Sequence, residues 1–294
     1  MSDKTQHVRD LPTGLATKPA PGSAPDSIPD SGPVAAPLPT ATNVVNALYL
    51  VPAPLDFGFD SQVPLDQCMP LATLRTAAGI TCWICENAKS ARAYLKRIGE
   101  VAPLALPLQA QTIQELPRAV HKKGDHKGEF DARPLLRAIP AGQPVGLLSE
   151  AGMPAVADPG ASVVRAAHDL GLRVIPLVGP VSLLLALAAS GLNGQNFAFV
   201  GYVPQDAAQR TQRLRELETL ARKSGQTQVF IETPYRNTAL LQALLQTLQP
   251  DTRLATASAL TLNSEQCRSL RVQDWKQKGW SLDNATPTVF AIGV

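Results

Sequence analysis

The chain has 294 residues, 45% of them hydrophobic and 17% charged, with a net charge of +3. That supplies one large or two modest globular domains and excludes wholesale disorder. The densest apolar stretch, 174–189, is broken by Pro176, Gly179, Pro180 and Ser182, well short of the roughly 20 residues that span a bilayer.

Residues 1–44 read as a disordered tail. Eight of the 26 prolines fall in the first 43 residues and no aromatic precedes Tyr49, so little apolar surface is on offer to offset ordering entropy. The polar start also lacks a secretory apolar core, and a cytoplasmic protein without membrane association is the default expectation. The mild positive charge permits an anionic partner without demanding one.

From residue 47 short apolar runs alternate with amphipathic segments. Strands are expected at 47–51, 80–85, 145–149, 173–178, 197–201, 229–233, 253–260 and 288–294. Asn87 caps a helix over 88–98 that stops at Gly99, with Ala91, Tyr94, Leu95 and Ile98 on one face. Asp158-Pro159 supplies a cap and a first-turn proline for a helix ending at Gly171. Asp206 caps a charged helix with Leu214, Leu217, Leu220 and Ala221 inward. A further helix over 236–249 buries Leu240, Leu241, Leu244, Leu245 and Leu248. Alternating strands and helices predict an α/β protein. The Gly191–Gln195 seam divides it into a first α/β domain over 45–191 and a second over 192–294.

Cys82 and Cys85 form a CxxC pair inside an apolar strand, with no second pair or His cluster at metal-site spacing. They read as small buried hydrophobes, and no metal is expected.

Three segments place polar groups at the carboxyl ends of strands, where ligands bind in open α/β sheets. In SEAGMPAVADPG (149–160) Glu150 sits at a sheet rim, with Gly152 and Pro154 turning the chain. Glu150 reads equally well as a ligand contact and as a turn acid satisfied by backbone N–H groups. In LVGPVSL (177–183) Ser182 and Leu183 open a helix with unsatisfied N–H groups. In FIETPYR (230–236) a strand delivers Glu232, Tyr235 and Arg236, for a ligand or for a turn-closing Arg236–Glu232 pair. The segment HKKGDHKGEF, with His121, Lys122, Lys123, His126 and Lys127, reads first as a solvated loop and second as a phosphate contact.

Taken in order, SEAGMPAVADPG, VGPVS and FIETPYR resemble the S-D-A-G-x-P…D-P-G, P-G-P-S and F-x-E-x-P-x-R motifs of the tetrapyrrole methylase superfamily of S-adenosylmethionine-dependent methyltransferases. Within it the chain is most similar to the branch of the bacterial small-subunit ribosomal RNA ribose 2′-O-methyltransferase. The likeness is dense over 145–240. It implies two α/β domains with S-adenosyl-L-methionine in the cleft between them, and a fold that is not Rossmann, in keeping with the lack of G-x-G-x-x-G. It implies cofactor contacts from Glu150, Gly152, Pro154, Ser182, Leu183, Glu232 and Pro234, acceptor-side roles for Lys89, Tyr235 and Arg236, and a dimer. Glu86 is the acid to test as catalytic base. The first loop, Pro52-Ala-Pro-Leu-Asp-Phe-Gly58, departs from the branch's T-P-I-G-N-L, and Asn87 replaces an acid. RNA is the favoured acceptor; a tetrapyrrole or other small acceptor, or a non-catalytic cofactor-binding module, are the alternatives.

Overall fold

The computed structural model describes residues 44–56, 59, 62–123 and 130–294, without the side chains of 121–123. Residues 1–43 of the expected tail, Phe57 and Gly58 of the first loop, and His126 and Lys127 of the basic segment lie outside the described residues, as do the side chains of His121, Lys122 and Lys123. Val44, the last residue assigned to the tail, instead packs against the first core.

The first half runs β1 (Leu48–Val51), α1 (Leu65–Cys68), α2 (Leu71–Ala78), β2 (Cys82–Cys85), α3 (Ala88–Val101), β3 (Thr112–Glu115), α4 (Arg118–Lys123), α5 (Arg133–Arg137), β4 (Val145–Leu148), α6 (Ala161–Asp169), β5 (Val174–Pro176) and α7 (Ser182–Ser190). The second half runs β6 (Phe197–Tyr202), α8 (Ala207–Ser224), β7 (Thr227–Glu232), α9 (Asn237–Thr247), β8 (Arg253–Ser258), β9 (Gln266–Arg271), α10 (Val272–Lys278) and β10 (Thr288–Gly293).

The central strands β1, β2 and β4 read LYLV, CWIC and VGLL and are almost wholly buried. Continuous apolar runs suit a parallel sheet covered on both faces. Tyr49, Val51, Trp83, Cys85 and Leu148 pack beneath α2 and α3. Leu48, Ile84, Val145 and Leu147 pack on the opposite side with Leu136 of α5 and Val163, Ala166 and Ala167 of α6. The strand order is β3-β2-β4-β1-β5, with parallel pairings. Insertion of β4 between β1 and β2 separates it from the Rossmann order 3-2-1-4-5. The second sheet, β6-β7-β10-β8-β9, pairs β6 with β7 in parallel and is otherwise antiparallel. Leucines of α8 and α9 with Trp275 of α10 cover the face carrying Phe230, Leu254, Phe290 and Ile292. Leu183, Ala186 and Leu187 of α7 cover Val229, Ala255, Ala257, Val289 and Ala291 on the other. Thus α7, which precedes the Gly191 seam, packs on the second sheet. The result is an α/β fold with two sheets.

Several local expectations are corrected. The edge strands β3 and β9 fall outside the expected set, because TIQE and QCRSLR are polar and none of their residues is fully buried. Asn87 does cap α3 through Lys89 and Ser90 N–H at 2.8 and 3.3 Å, but the helix runs past Gly99, over which Leu104 packs. Asp158 does not cap α6; that position belongs to Gly160 at φ +133°, a conformation only glycine adopts readily. Ala155 N–H, bonded to Pro159 O at 3.3 Å, closes a turn that delays the helix, with Ala155 and Ala157 at φ +64°. Leu220 is 48% exposed, while Glu218 is buried in its place and accepts bonds from Gln249 N–H and the Thr252 hydroxyl. Both cysteines of the CxxC pair are buried, and burial pushes the Cys85 thiol up to about 12, so it stays protonated.

Candidate active site

The loops that follow β1, β4 and β5 emerge at one end of the first sheet and meet the ends of β6, β7, β8 and β10. Between them lies a cavity of about 300 Å³. Leu55, Gly152, Met153, Ser182 and Leu183 wall it on one side, and Tyr202, Ile231, Glu232, Pro234, Ala257 and Thr288 on the other. The lining is mostly apolar with a few polar groups, the usual character of a small-molecule site.

The acid at the tip of β7 is firmly held. Glu232 is buried, pairs with Arg236 and accepts the Thr233 N–H at 2.8 Å. The turn-closing pair and the cavity-lining acid are therefore the same group. Arg236 also lies 5.3 Å from the centre of the Tyr235 ring, which is 66% exposed. Pro154 turns away and lines a separate surface groove with Ala155 and His168.

A second cavity, of about 220 Å³, is lined by Ala53, Asp56, Ser90, Tyr94, Arg97 and Glu150 among others. Glu150 thus belongs to a different cavity from Ser182 and Glu232, and accepts the Ser90 hydroxyl at 3.1 Å. The partition is an antiparallel bridge. Ala53 N–H bonds Gly152 O at 2.8 Å and Gly152 N–H bonds Ala53 O at 2.9 Å.

Glu86 follows β2 beside Glu150. Burial first, then the Glu150 charge, push its carboxyl up to about 7, against a backbone hydrogen bond from Glu150 that lowers it. A carboxyl whose folded pKa lies above its unfolded value takes up a proton on folding between the two. Its stabilising contribution is full below about pH 4.5 and is lost as pH rises through about 7. Glu86→Gln is expected to remove that loss, so the melting-temperature gap between variant and wild type should widen from pH 4.5 to 7 and then level. Parallel melting curves across that range would count against a shifted Glu86. Lys89 lies exposed in the first turn of α3, outside both cavities.

Tyr202 is the principal residue missed by sequence reasoning. Strict alternation along β6 would put it with Ala198 and Val200 on the face covered by α8 and α9. A bulge intervenes: Phe199 pairs with Val229, yet Tyr202 pairs with Ile231, and Gly201 supplies φ +73°. The extra residue turns Tyr202 to the cavity face. Burial, then Asp158 and Glu232, raise its hydroxyl pKa. The signal in the sequence is the Gly201-Tyr202 pair at the end of a strand. Among the described residues no group of three or more His, Cys, Asp and Glu side chains is arranged to hold a metal, and no helix is long and apolar enough to cross a membrane.

The Ribosomal RNA small subunit methyltransferase I of Mesorhizobium japonicum is 33% identical over 223 residues, covering 76% of this chain and 66% of that protein. The protein of the same name from Pseudomonas aeruginosa is 34% identical over 158 residues, 53% of each chain. The aligned part spans about half to two thirds of the length of these curated relatives. Among solved structures, a uroporphyrin-III-C-methyltransferase from Thermus thermophilus aligns with a TM-score of 0.45 and 21% identity, over 84% of this chain and 93% of that one. The family profile of the Tetrapyrrole (Corrin/Porphyrin) Methylases matches residues 71–274. The chain belongs to that family.

Proposed function

We propose that this protein is an S-adenosyl-L-methionine-dependent methyltransferase acting on RNA, with a small-subunit ribosomal RNA ribose 2′-hydroxyl as the leading acceptor. The observation that carries the reading is the first cavity, whose walls come from the three motif segments. Its apolar lining suits an adenine ring, and its few polar groups suit the ligand's charged and hydroxyl-bearing parts. Ser182 and Leu183 offer first-turn N–H groups of α7 to a carboxylate. Glu232, oriented by Arg236 and Thr233, has lone pairs left for hydroxyls. Gly152 lets backbone approach closely. The bound cofactor supplies a sulfonium methyl for in-line displacement, so the chain's task is to position the reactants and exclude water.

The acceptor side is assigned to the second cavity and the start of α3. Glu86, with a pKa of about 7, is matched to taking a hydroxyl proton near neutral pH. Lys89, Arg92 and Lys96 are exposed at i, i+3 and i+7, a cationic stripe suited to phosphates. The names of the relatives support RNA as acceptor. Tyr235 and Arg236, which follow the cavity-lining Pro234 in the chain, are assigned to the same acceptor. We place the domains at 45–191 and 192–294, in keeping with two separate sheets, and the protein in the cytoplasm. A homodimer is supported by edge strand β6, whose Phe197 and Phe199 are exposed on the sheet face that α7 covers elsewhere.

The test is calorimetry with S-adenosylhomocysteine, followed by transfer of labelled methyl to total RNA. Binding and transfer are expected. Glu150→Gln should leave ligand affinity within about twofold, because Glu150 faces the other cavity, and should slow transfer. Binding without transfer to RNA or small acceptors would leave a cofactor-binding module. No heat at near-millimolar ligand would remove the methyltransferase reading.

A further inference from the structure

The partition between the two cavities is pinned by one face of α3. Ser90, Tyr94 and Arg97 stand at i, i+4 and i+7, so they share that face. Ser90 bonds Glu150 in the loop after β4, at 3.1 Å. The Tyr94 hydroxyl donates to Pro52 O at 2.8 Å, and Tyr94 is buried. Arg97 grips Asp56 with both terminal nitrogens, at 3.1 and 2.8 Å, and donates to Val63 O at 2.8 Å. The Arg97 and Asp56 side chains are only 16% and 4% exposed. Asp56 adjoins Leu55, and Leu55 and Phe59 line the first cavity while Asp56 and Arg97 line the second. Between β1 and α1 the described loop has no repetitive structure apart from the Ala53–Gly152 bridge. Within it Phe59 N–H closes a turn on Asp56 O at 3.2 Å, and contacts from outside the loop complete its shape.

We infer that Arg97 is a positioning residue: through Asp56 and Val63 it fixes the wall shared by the two cavities, and so holds the cofactor side in register with the acceptor side. This rests on the cofactor reading of the first cavity. A guanidinium is suited to the task because its planar fork meets both carboxylate oxygens and still has a donor for the carbonyl. A lysine can supply the charge but not that geometry. A merely structural ion pair would contribute to folding and leave ligand affinity alone once the protein is folded.

The experiment compares wild type, Arg97→Lys and the charge-neutral double variant Asp56→Asn/Arg97→Gln. The double variant guards against the misfolding that a lone buried charge invites. S-adenosylhomocysteine Kd is measured by calorimetry well below every melting temperature. Amide exchange is followed by mass spectrometry over 52–56 and 151–153. The expected result is a Kd weakened about tenfold in both variants, with faster exchange at Ala53 and Gly152. Affinity within twofold of wild type, or unchanged exchange there, in fully folded variants would overturn the assignment. If wild type itself binds no ligand, the cofactor reading fails and the exchange result alone decides whether Arg97 holds the wall.

Discussion

Ser182→Trp is expected to weaken S-adenosylhomocysteine binding by roughly a hundredfold, about 2.7 kcal/mol, with little change in melting temperature. Ser182 is the first residue of α7 and lines the first cavity, with its side chain only partly buried. A cavity of about 300 Å³ cannot hold an indole and a nucleoside ligand together. The fold pays little, because the anchoring residues of α7 are Leu183, Ala186 and Leu187, whose packing on the second sheet is untouched. Calorimetry beside a thermal melt separates the two effects. Wild-type affinity in the Trp variant would move the ligand out of this cavity. A large fall in melting temperature would show that Ser182 supports the fold.

Gly146→Ala should be the most damaging single methyl addition in the first sheet. A Cβ there would lie 2.3 Å from Trp83 Cζ3 and 2.4 Å from Cε3. The ring has no room to retreat. Trp83 is fully buried, and its indole N–H bonds Gln111 Oε1 at 2.8 Å. Gly146 itself is held between β1 and β2 on both sides. Overpacking of this severity costs about 3 kcal/mol, or roughly 6–12 °C in melting temperature for a domain of this size. In a double-mutant cycle, Trp83→Leu should absorb part of the penalty, because the two changes share one space. A melting temperature within 2 °C of wild type would mean that the Trp83 ring is not rigidly seated.

The sequence by itself determined the eight strands that carry apolar runs, the caps at Asn87 and Asp206, and the three segments at strand ends. Those signals are local: a buried strand must be apolar, and a helix start needs an oxygen for its free N–H groups. Tertiary structure alone decided the rest. The edge strands β3 and β9 are polar because an edge has no second neighbour and need not be buried. Leu220 faces outward because Glu218 found partners in Thr252 and Gln249, more than 30 residues away. Glu150 and Ser182, adjacent in the order of motifs, occupy different cavities because a two-bond bridge between Ala53 and Gly152 runs between them. Tyr202 reaches the site only through a bulge that reverses the alternation of β6. Arg97 was invisible for the same reason: its role depends on Asp56 and Val63, 41 and 34 positions away, and no local pattern encodes which distant carboxylate a guanidinium meets.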